Sequence, residues 1–243
     1  GDILQIGDPA LLTNNTITVT VDANVTISAL QIGYAKTLAF ISRTNGILSF
    51  NAGRTLTVTG NVTLGMSALL GDAYGAINMG AGGTLVCQAI VTNSGENGSK
   101  VPNNSNEVGT FTEGAGTVQF TGNNTLLNDP DYRNFNNITI TGGTTSLSQN
   151  ITLTGNLFLN GGNLDVGTIL GTATLTMSGA GATFYNNTST TGFVPRTGTL
   201  IISGSVTVGT SNATASTNFY HVLITGTLTG FASHTMKVQR DWT

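Results

Sequence analysis

The feature that most limits what this chain can fold into is a two-residue alternation that recurs in short runs. In each run an apolar side chain alternates with Thr, Ser or another polar residue, and helical spacing of apolar residues is nearly absent. The runs are TITVTVDANVTISALQI (16–32), TLTVTGNVTL (55–64), GTVQF (116–120), NITITG (137–142), NITLTGNLFL (150–159), ATLTMSG (173–179), GTLIISGSVTVG (198–209) and HVLITGTL (221–228). A period of two places alternate side chains on opposite faces, so each run predicts a β-strand with one buried face.

The runs also resemble one another, and Gly or Asn-Gly separates most of them. GTVQFTG (116–122) matches GTLIISG (198–204), and FNNITITG from 135 matches FYHVLITG from 219, an offset of 219 − 135 = 84. TLTVTGNVTL from 55, NITLTGNLFL from 150 and TMKVQRDWT from 235 form a third group. We therefore expect an all-β fold, a parallel β-helix (β-solenoid) with irregular coils and loop excursions. Tandem β-sandwiches are the alternative, because period-two strands occur in both folds.

The alternation also predicts which side chains face the core. The residues predicted to face inward are Ile17, Val19, Val21, Leu56, Val58, Ile138, Ile140, Ile151, Leu153, Leu157 and Leu159, with Phe120, Phe135 and Phe219 as large fillers. Threonines on the opposite face can form hydroxyl ladders, and asparagines can stack their amides at the corners. Trp242 aligns with Leu157 in the third group and is predicted to lie in the core.

One polar, turn-rich segment divides the chain. It spans residues 92–116 and contains all three glutamates, Glu96, Glu107 and Glu113. We expect residues 1–91 to form a first solenoid block, residues 92–116 a polar loop or joint, and residues 117–243 a second block that continues beyond this sequence.

Composition narrows the possible partners. Only 8% of residues are charged and the net charge is −3, whereas 43 residues are Thr and 26 are Asn. The bases are scattered, so we expect no nucleic-acid partner. No run approaches the roughly 20 apolar residues of a membrane helix, so we expect no membrane insertion. Cys87, the only cysteine, cannot form an intrachain disulfide and is predicted to be a buried thiol.

The phrasing of these runs resembles that of a known class of proteins. TITVTVDANVTISALQI, AGRTLTVTGNVTL and GAGTVQFTGNNTLL are similar to the Thr/Gly/Asn-rich repeats of large bacterial surface proteins. The resemblance is to proteins exported by Bacteroidetes through the type IX system, and more loosely to filamentous-haemagglutinin-type adhesins. It covers most of the chain and implies an exported, extracellular or cell-surface role in adhesion, gliding or matrix structure. It implies no catalytic residue.

The sequence contains one weak candidate for a metal site and none for a cofactor site. His221 and His234 are 13 positions apart and have no clustered partner, which disfavours a transition-metal site. Asn128, Asp129 and Asp131 offer oxygen ligands for calcium, although Pro130 makes an ordinary turn the favoured interpretation. We therefore expect no catalytic site, no cofactor and no metal.

Three functions remain in order of preference. The first is a non-enzymatic structural or adhesive segment of a surface fibre, whose partners are neighbouring repeats or subunits of the same protein and surface glycans. The second is a β-helix that binds or cleaves carbohydrate; Tyr132, Tyr185 and Phe193 could stack on sugars. Cleavage would need paired acids, such as Asp129 and Asp131 with Glu107 or Glu113, and Arg133 beside them. The third is an ice-binding solenoid, suggested by the repeated T-x-T pairs Thr18/Thr20, Thr57/Thr59, Thr139/Thr141, Thr152/Thr154 and Thr174/Thr176.

Overall fold

The computed structural model describes residues 2–7, 15–35, 43–65, 75–92, 111–126, 133–167, 172–188, 191–210, 216–230 and 234–243. Every regular element within these ranges is a β-strand, so none of them contains a helix long and apolar enough to cross a membrane. The chain divides into two compact units, Gly1–Ala115 (unit 1) and Gly116–Thr243 (unit 2).

In unit 1 the chain passes in turn through three sheets, A, B and C, and one pass through the three makes one coil. Sheet A has the order β1 (Ile3–Ile6), β4 (Ala29–Ile32), β8 (Val62–Leu64) and β11 (Ile90–Thr92). Sheet B has β2 (Asn15–Val21), β6 (Arg43–Phe50), β9 (Gly75–Asn78) and β12 (Phe111–Thr112), and β5 (Tyr34–Ala35) pairs with β6. Sheet C has β3 (Val25–Ile27), β7 (Thr55–Val58) and β10 (Thr84–Cys87). Apart from the antiparallel β5–β6 pair, these strands pair in parallel.

Unit 2 repeats this arrangement, and the parts of its sheets that lie within the unit are named D, E and F. Sheet D has β13 (Thr117–Phe120), β16 (Asn137–Ile140), β19 (Leu157–Leu159), β22 (Ala180–Asn186), β25 (Ser205–Gly209) and β27 (Thr227–Gly230). Sheet E has β14 (Asn124–Leu126), β17 (Thr144–Leu147), β20 (Asn163–Asp165) and β23 (Phe193–Val194). Sheet F has β15 (Asn134–Phe135), β18 (Ile151–Leu153), β21 (Thr174–Met177), β24 (Thr199–Ile202), β26 (Ser216–Ile224) and β28 (Thr235–Trp242). These described pairs are all parallel.

This arrangement is the predicted parallel β-helix, and it replaces the alternative of tandem β-sandwiches. Sandwiches are built from antiparallel sheets. Here, apart from β5 and β6, strands that follow one another in the chain lie in different sheets, and they pair in parallel with strands one coil away.

The coils have unequal lengths, as predicted. Along sheet D, Val118, Ile138, Leu157, Phe184 and Val208 are successive register partners. Their separations are 138 − 118 = 20, 157 − 138 = 19, 184 − 157 = 27 and 208 − 184 = 24 residues. The corners therefore absorb most of the difference in length, and one register shift occurs within the sheet, between Ala180 and Ala182 of β22.

The inward positions form the core of each unit, largely as the alternation predicts. Of the predicted core residues, 12 are buried: Val21, Leu56, Val58, Phe120, Phe135, Ile138, Ile140, Ile151, Leu153, Leu157, Leu159 and Phe219. Ile17 and Val19 have the expected orientation, since Thr16, Thr18 and Thr20 beside them are exposed, but they are only half-buried.

Three phenylalanine rings, one from each sheet of unit 2, pack together in the core. Phe184 of β22, Phe193 of β23 and Phe219 of β26 are all buried, at 0%, 3% and 2% exposure. Their ring centroids lie 5.3 Å (Phe184–Phe193), 5.8 Å (Phe184–Phe219) and 5.2 Å (Phe193–Phe219) apart. The prediction that Phe193 could stack on sugars is therefore wrong, because its ring fills the core between strands of two other sheets.

The prediction that Trp242 lies in the core is also wrong, because Trp242 is 54% exposed. Its strand, β28, pairs with β26 in sheet F, whereas Leu157 lies in sheet D. Matching phrases thus occupy different sheets. GTVQFTG contains β13 of sheet D, and its match GTLIISG contains β24 of sheet F.

The predicted joint at residues 92–116 falls largely outside the described residues. Residues 93–110 are not described, whereas Phe111–Thr112 forms β12, which pairs with β9. Coil structure is therefore present at 111–112, and the predicted block boundaries stay a prediction.

Candidate functional site

The corners explain a phrase that recurs in the sequence, Thr or Ser followed by Gly. At the corner the hydroxyl donates to a backbone carbonyl of the preceding coil, at 3.3 to 3.5 Å. The pairs are Thr59–Ile27, Thr141–Phe120, Thr154–Phe135, Ser178–Leu153 and Ser203–Met177. The glycine follows because the chain passes close to the coil before it: a Cβ on Gly60 would lie 2.7 Å from the Ser28 carbonyl oxygen.

Asparagines near the strand starts supply a second link between coils. Each accepts, through its side-chain Oδ1, the backbone N–H of a residue one coil later, at 2.8 to 2.9 Å. The acceptor and donor pairs are Asn24–Thr55, Asn123–Thr144, Asn137–Asn156, Asn150–Thr174 and Asn156–Thr183. Polar side chains thus bond to the main chain of neighbouring coils.

The outward face of sheet D carries a pair of aromatic side chains, Phe158 and Tyr185. In β19 the inward positions Leu157 and Leu159 are fully buried, so Phe158 between them points outward and is half-buried. In the next coil Tyr185 occupies the matching position, directly opposite Phe158. The two rings contact each other edge to face, with centroids 6.1 Å apart and an interplanar angle of 71°. A hydrocarbon ring facing outward between two core leucines is not needed to fill the coil.

Hydroxyl and amide groups border this pair on the same face. Together they form a patch of nine outward residues in three rows, which we call the aromatic patch; each row runs along β16, β19 or β22 and includes residues directly beside that strand. Its members are Asn137, Thr139, Thr141, Asn156, Phe158, Asn160, Thr183, Tyr185 and Asn187. None of the nine is Asp, Glu, Lys, Arg or His.

Hydrogen bonds between rows hold the amides of the aromatic patch in place. Asn137 Oδ1 accepts from the Asn156 N–H and Asn156 Oδ1 from the Thr183 N–H, both at 2.8 Å. On the other side of the rings, Asn187 Nδ2 donates to Asn160 Oδ1 at 2.9 Å. In this part of the chain the structure gives no protein partner to the Nδ2 groups of Asn156 and Asn160, so both remain donors for another molecule.

An ion pair joins Asp165 of β20 to Arg196, which follows β23. Arg196 Nε lies 2.7 and 2.8 Å from the two carboxylate oxygens of Asp165, and its Nη2 lies 2.7 Å from Oδ2. The Asp165 side chain is 9% exposed. Its hydrogen bonds and charge raise the pKa of Arg196. Because this buried carboxylate is occupied by a bidentate partner, it is not available as a catalytic acid or base.

The two histidines, His221 and His234, have different surroundings. His221 Nδ1 lies 2.8 Å from Asp241 Oδ2 between β26 and β28, and its ring contacts Tyr220 edge to face at 4.6 Å. His234 precedes β28, and burial lowers its pKa. No group of three or more His, Cys, Asp or Glu side chains that could hold a metal occurs in the described ranges.

Of the remaining predicted site residues, only some lie within the described residues. Asn128, Asp129 and Asp131, the calcium candidates, lie outside the described residues, as do Glu107 and Tyr132. Glu113 is half-buried in the turn after β12. Arg133 Nε donates to Gln149 Oε1 at 2.9 Å, which ties this base to an amide of the next coil.

Sequence reasoning missed the site's main element, Phe158, although a signal was present. The alternation L-F-L from Leu157 to Leu159 already places Phe158 outward. Its proximity to Tyr185, 185 − 158 = 27 residues later, could not be derived, because the coils differ in length.

Comparison of the chain with protein-family models, with curated protein sequences and with solved structures gave no match. Function must therefore be argued from the coils and their outward faces.

Proposed function

We propose that this chain is a non-enzymatic structural and adhesive segment of an exported cell-surface or extracellular fibre protein. The observation that carries the proposal is the repeated bonding between coils. Side chains at the corners of successive coils hydrogen-bond to the neighbouring main chain, in addition to the parallel strand pairing.

This bonding suits a mechanical element. In a solenoid each repeat contacts only its neighbours, so stability accumulates along the stack. The corner bonds add a side-chain link at positions that would otherwise be simple turns. Neighbouring repeats or subunits of the same protein are the partners that such a stack accepts, because a strand edge can pair with another strand.

The location follows from the resemblance to bacterial surface repeats and from the composition. With 8% charged residues, 43 Thr and 26 Asn, the surface is polar through hydroxyls and amides. Surface glycans are the second class of partner, since such groups exchange hydrogen bonds with sugar hydroxyls.

The enzyme alternative has less support. Glycoside hydrolysis uses two carboxyl groups roughly 5 to 10 Å apart that are free to act. Among the described acids, Asp165 is bound by Arg196 and Asp241 is paired with His221.

The ice-binding alternative depends on a regular hydroxyl grid. In sheet F, Thr152 and Thr176 are register partners, but the same rank continues with Ile201 and Leu223. Thr139 of sheet D is followed by Phe158. These interruptions favour the structural role.

Electron microscopy of surface material from the source cells, labelled with antibodies against this chain, tests the proposal. We expect labelled thin rods or fibres whose diffraction shows an axial repeat of about 4.8 Å, the strand spacing. Labelled compact particles without that repeat would contradict it.

A further inference from the structure

We propose that the aromatic patch of unit 2 is a binding site for a neutral oligosaccharide, with Phe158 and Tyr185 as the surface on which a sugar ring stacks. The inference deepens the adhesive half of the proposed function by giving it a ligand class and a place.

The rings of Phe158 and Tyr185 are both partly exposed. Inward Phe184 packs with Phe193 and Phe219, so the core beneath the patch already has its aromatic filling. Phe158 and Tyr185 lie on the other face, half-buried, and contact each other at 6.1 Å. The other members of the aromatic patch are Thr and Asn. The two rings therefore form a small apolar area that an apolar surface of a ligand can contact.

The shape of the aromatic patch suits a small ligand. Thr139 precedes Phe158 in its rank, and Gly209, which has no side chain, follows Tyr185. The two rings therefore form a short ridge between smaller residues. Three rows of parallel strands make the patch about 13 Å along the strands by about 10 Å across them. An area of this size fits a few sugar units and is far smaller than a stable protein interface of roughly 800 Å² per partner.

The amides that border the two rings match the chemistry of a sugar. A sugar ring has an apolar C–H face and a rim of hydroxyls. The face matches the electron-rich aromatic ring, and the rim matches amides on both sides. The Nδ2 groups of Asn156 and Asn160 flank Phe158 along the strand, and their Oδ1 atoms are fixed by Thr183 and Asn187. The amides are thus oriented before a ligand arrives, which lowers the entropic cost of binding.

The aromatic patch carries no charged side chain. None of the nine patch residues is acidic or basic. An acidic polysaccharide would need cations to offset its carboxylates or sulfates, and the patch offers none. A neutral glycan loses nothing by contact with an uncharged surface, so charge selects a neutral over an acidic sugar chain.

The test uses the 243-residue chain and isothermal titration with cellohexaose, laminarihexaose, xylohexaose and chitohexaose as neutral probes, with polygalacturonate as the acidic probe. We expect at least one neutral probe to bind and the acidic probe not to bind. Phe158→Thr and Tyr185→Thr place at these positions the residue common elsewhere on outward faces. Each should weaken binding about tenfold or more, the size expected for loss of one stacked ring.

Matched variants separate stacking from structure. Phe158→Tyr keeps a ring and should retain binding within about threefold, and Tyr220→Thr removes an outward ring of sheet F and should change nothing. Circular dichroism and Tm check that each variant folds. Binding by no neutral probe, binding unchanged in the folded Phe158→Thr and Tyr185→Thr variants, or binding of the acidic probe alone would overturn the inference.

The two proposals fail separately. Labelled fibres with a chain that binds none of the neutral probes would keep the structural role and remove the sugar site. Compact particles with a chain that binds through Phe158 and Tyr185 would do the reverse.

Discussion

The effect of a threonine on stability depends on which face of the strand its side chain occupies. On the outward face the hydroxyl meets water or a neighbouring coil, as Thr154 does when it donates to the Phe135 carbonyl. Thr145 in sheet E instead points inward and is fully buried, and its Oγ1 has no hydrogen-bond partner. Its register partner Asn124 is 6% exposed, and neither polar atom of its amide has a partner. A buried polar group without a partner costs about 1–3 kcal/mol.

Replacing Thr145 by Val should therefore stabilise unit 2. The change keeps the branched shape, removes the unpaired hydroxyl and should raise the free energy of unfolding by about 1–3 kcal/mol, measured by urea denaturation. Thr152→Val, on the outward face of β18, is the control and should change stability by less than about 0.5 kcal/mol. A loss of stability in Thr145→Val would instead indicate an internal water bound between Asn124 and Thr145.

At the scale of the strand and its corner, two small devices connect each coil to the next. Asparagine side chains accept backbone N–H groups of the next coil, and glycines allow the corners to approach one another. Gly179 illustrates the second device, because a Cβ there would collide with the Thr154 carbonyl oxygen. The backbone of one coil thus limits the side chain of another.

The asparagine device can be tested at Asn150, whose Oδ1 accepts the Thr174 N–H at 2.9 Å. Asn150→Ala removes the acceptor and should lower the free energy of unfolding by about 1 kcal/mol, as loss of a strand- or helix-start acceptor does elsewhere. Asn150→Asp keeps the acceptor and should stay much closer to the original chain. Equal losses in thermal denaturation of the two variants would show that the bond contributes nothing.

The glycine device can be tested at Gly179. Gly179→Ala should destabilise unit 2 by about 1–3 kcal/mol, because the added methyl group forces one coil away from the next. Gly230→Ala is the matched control, since the nearest atom to its Cβ would be the Met236 methyl at 3.7 Å, an ordinary contact. If chemical denaturation gives the two variants the same stability, the close approach at Gly179 is not limiting.

At the scale of the whole molecule, Cys87 offers a probe of how the coils of unit 1 open. Its side chain in β10 is 0% exposed, and burial raises the pKa of the thiol to about 12. Burial thus disfavours the thiolate in the folded state. The folded pKa lies above the ordinary 9.0, so this contribution to stability is complete below about pH 9 and is lost as pH rises toward 12.

We expect iodoacetamide at pH 8 to label Cys87 only when unit 1 unfolds. The labelling rate should rise with urea in step with the loss of β-sheet signal, and a Cys87→Ala chain should take up no label. Rapid labelling without urea would mean that the coil containing β10 opens locally, at a lower free energy than the unit as a whole.

The sequence alone determined the alternation of inward and outward side chains within a strand and the use of Gly at the bends. Both depend on the two-residue geometry of a single strand and on the backbone freedom that a bend needs, as the alternation around Leu157 shows. The hydrogen bonds that Thr, Ser and Asn side chains make between coils appear only in the structure. Only the tertiary structure decided which sheet a phrase enters. GTVQFTG and GTLIISG therefore lie in different sheets, and Trp242 is exposed where its alignment with Leu157 predicted burial.

Tertiary structure also decided which side chains meet across coils. Coil lengths between 19 and 27 residues in sheet D set the partners, and no local pattern encodes those lengths. Phe184, Phe193 and Phe219 meet in the core for this reason, and Phe158 meets Tyr185 on the surface. Each position has its orientation from its own strand, whereas its neighbours depend on how much chain the intervening corners hold.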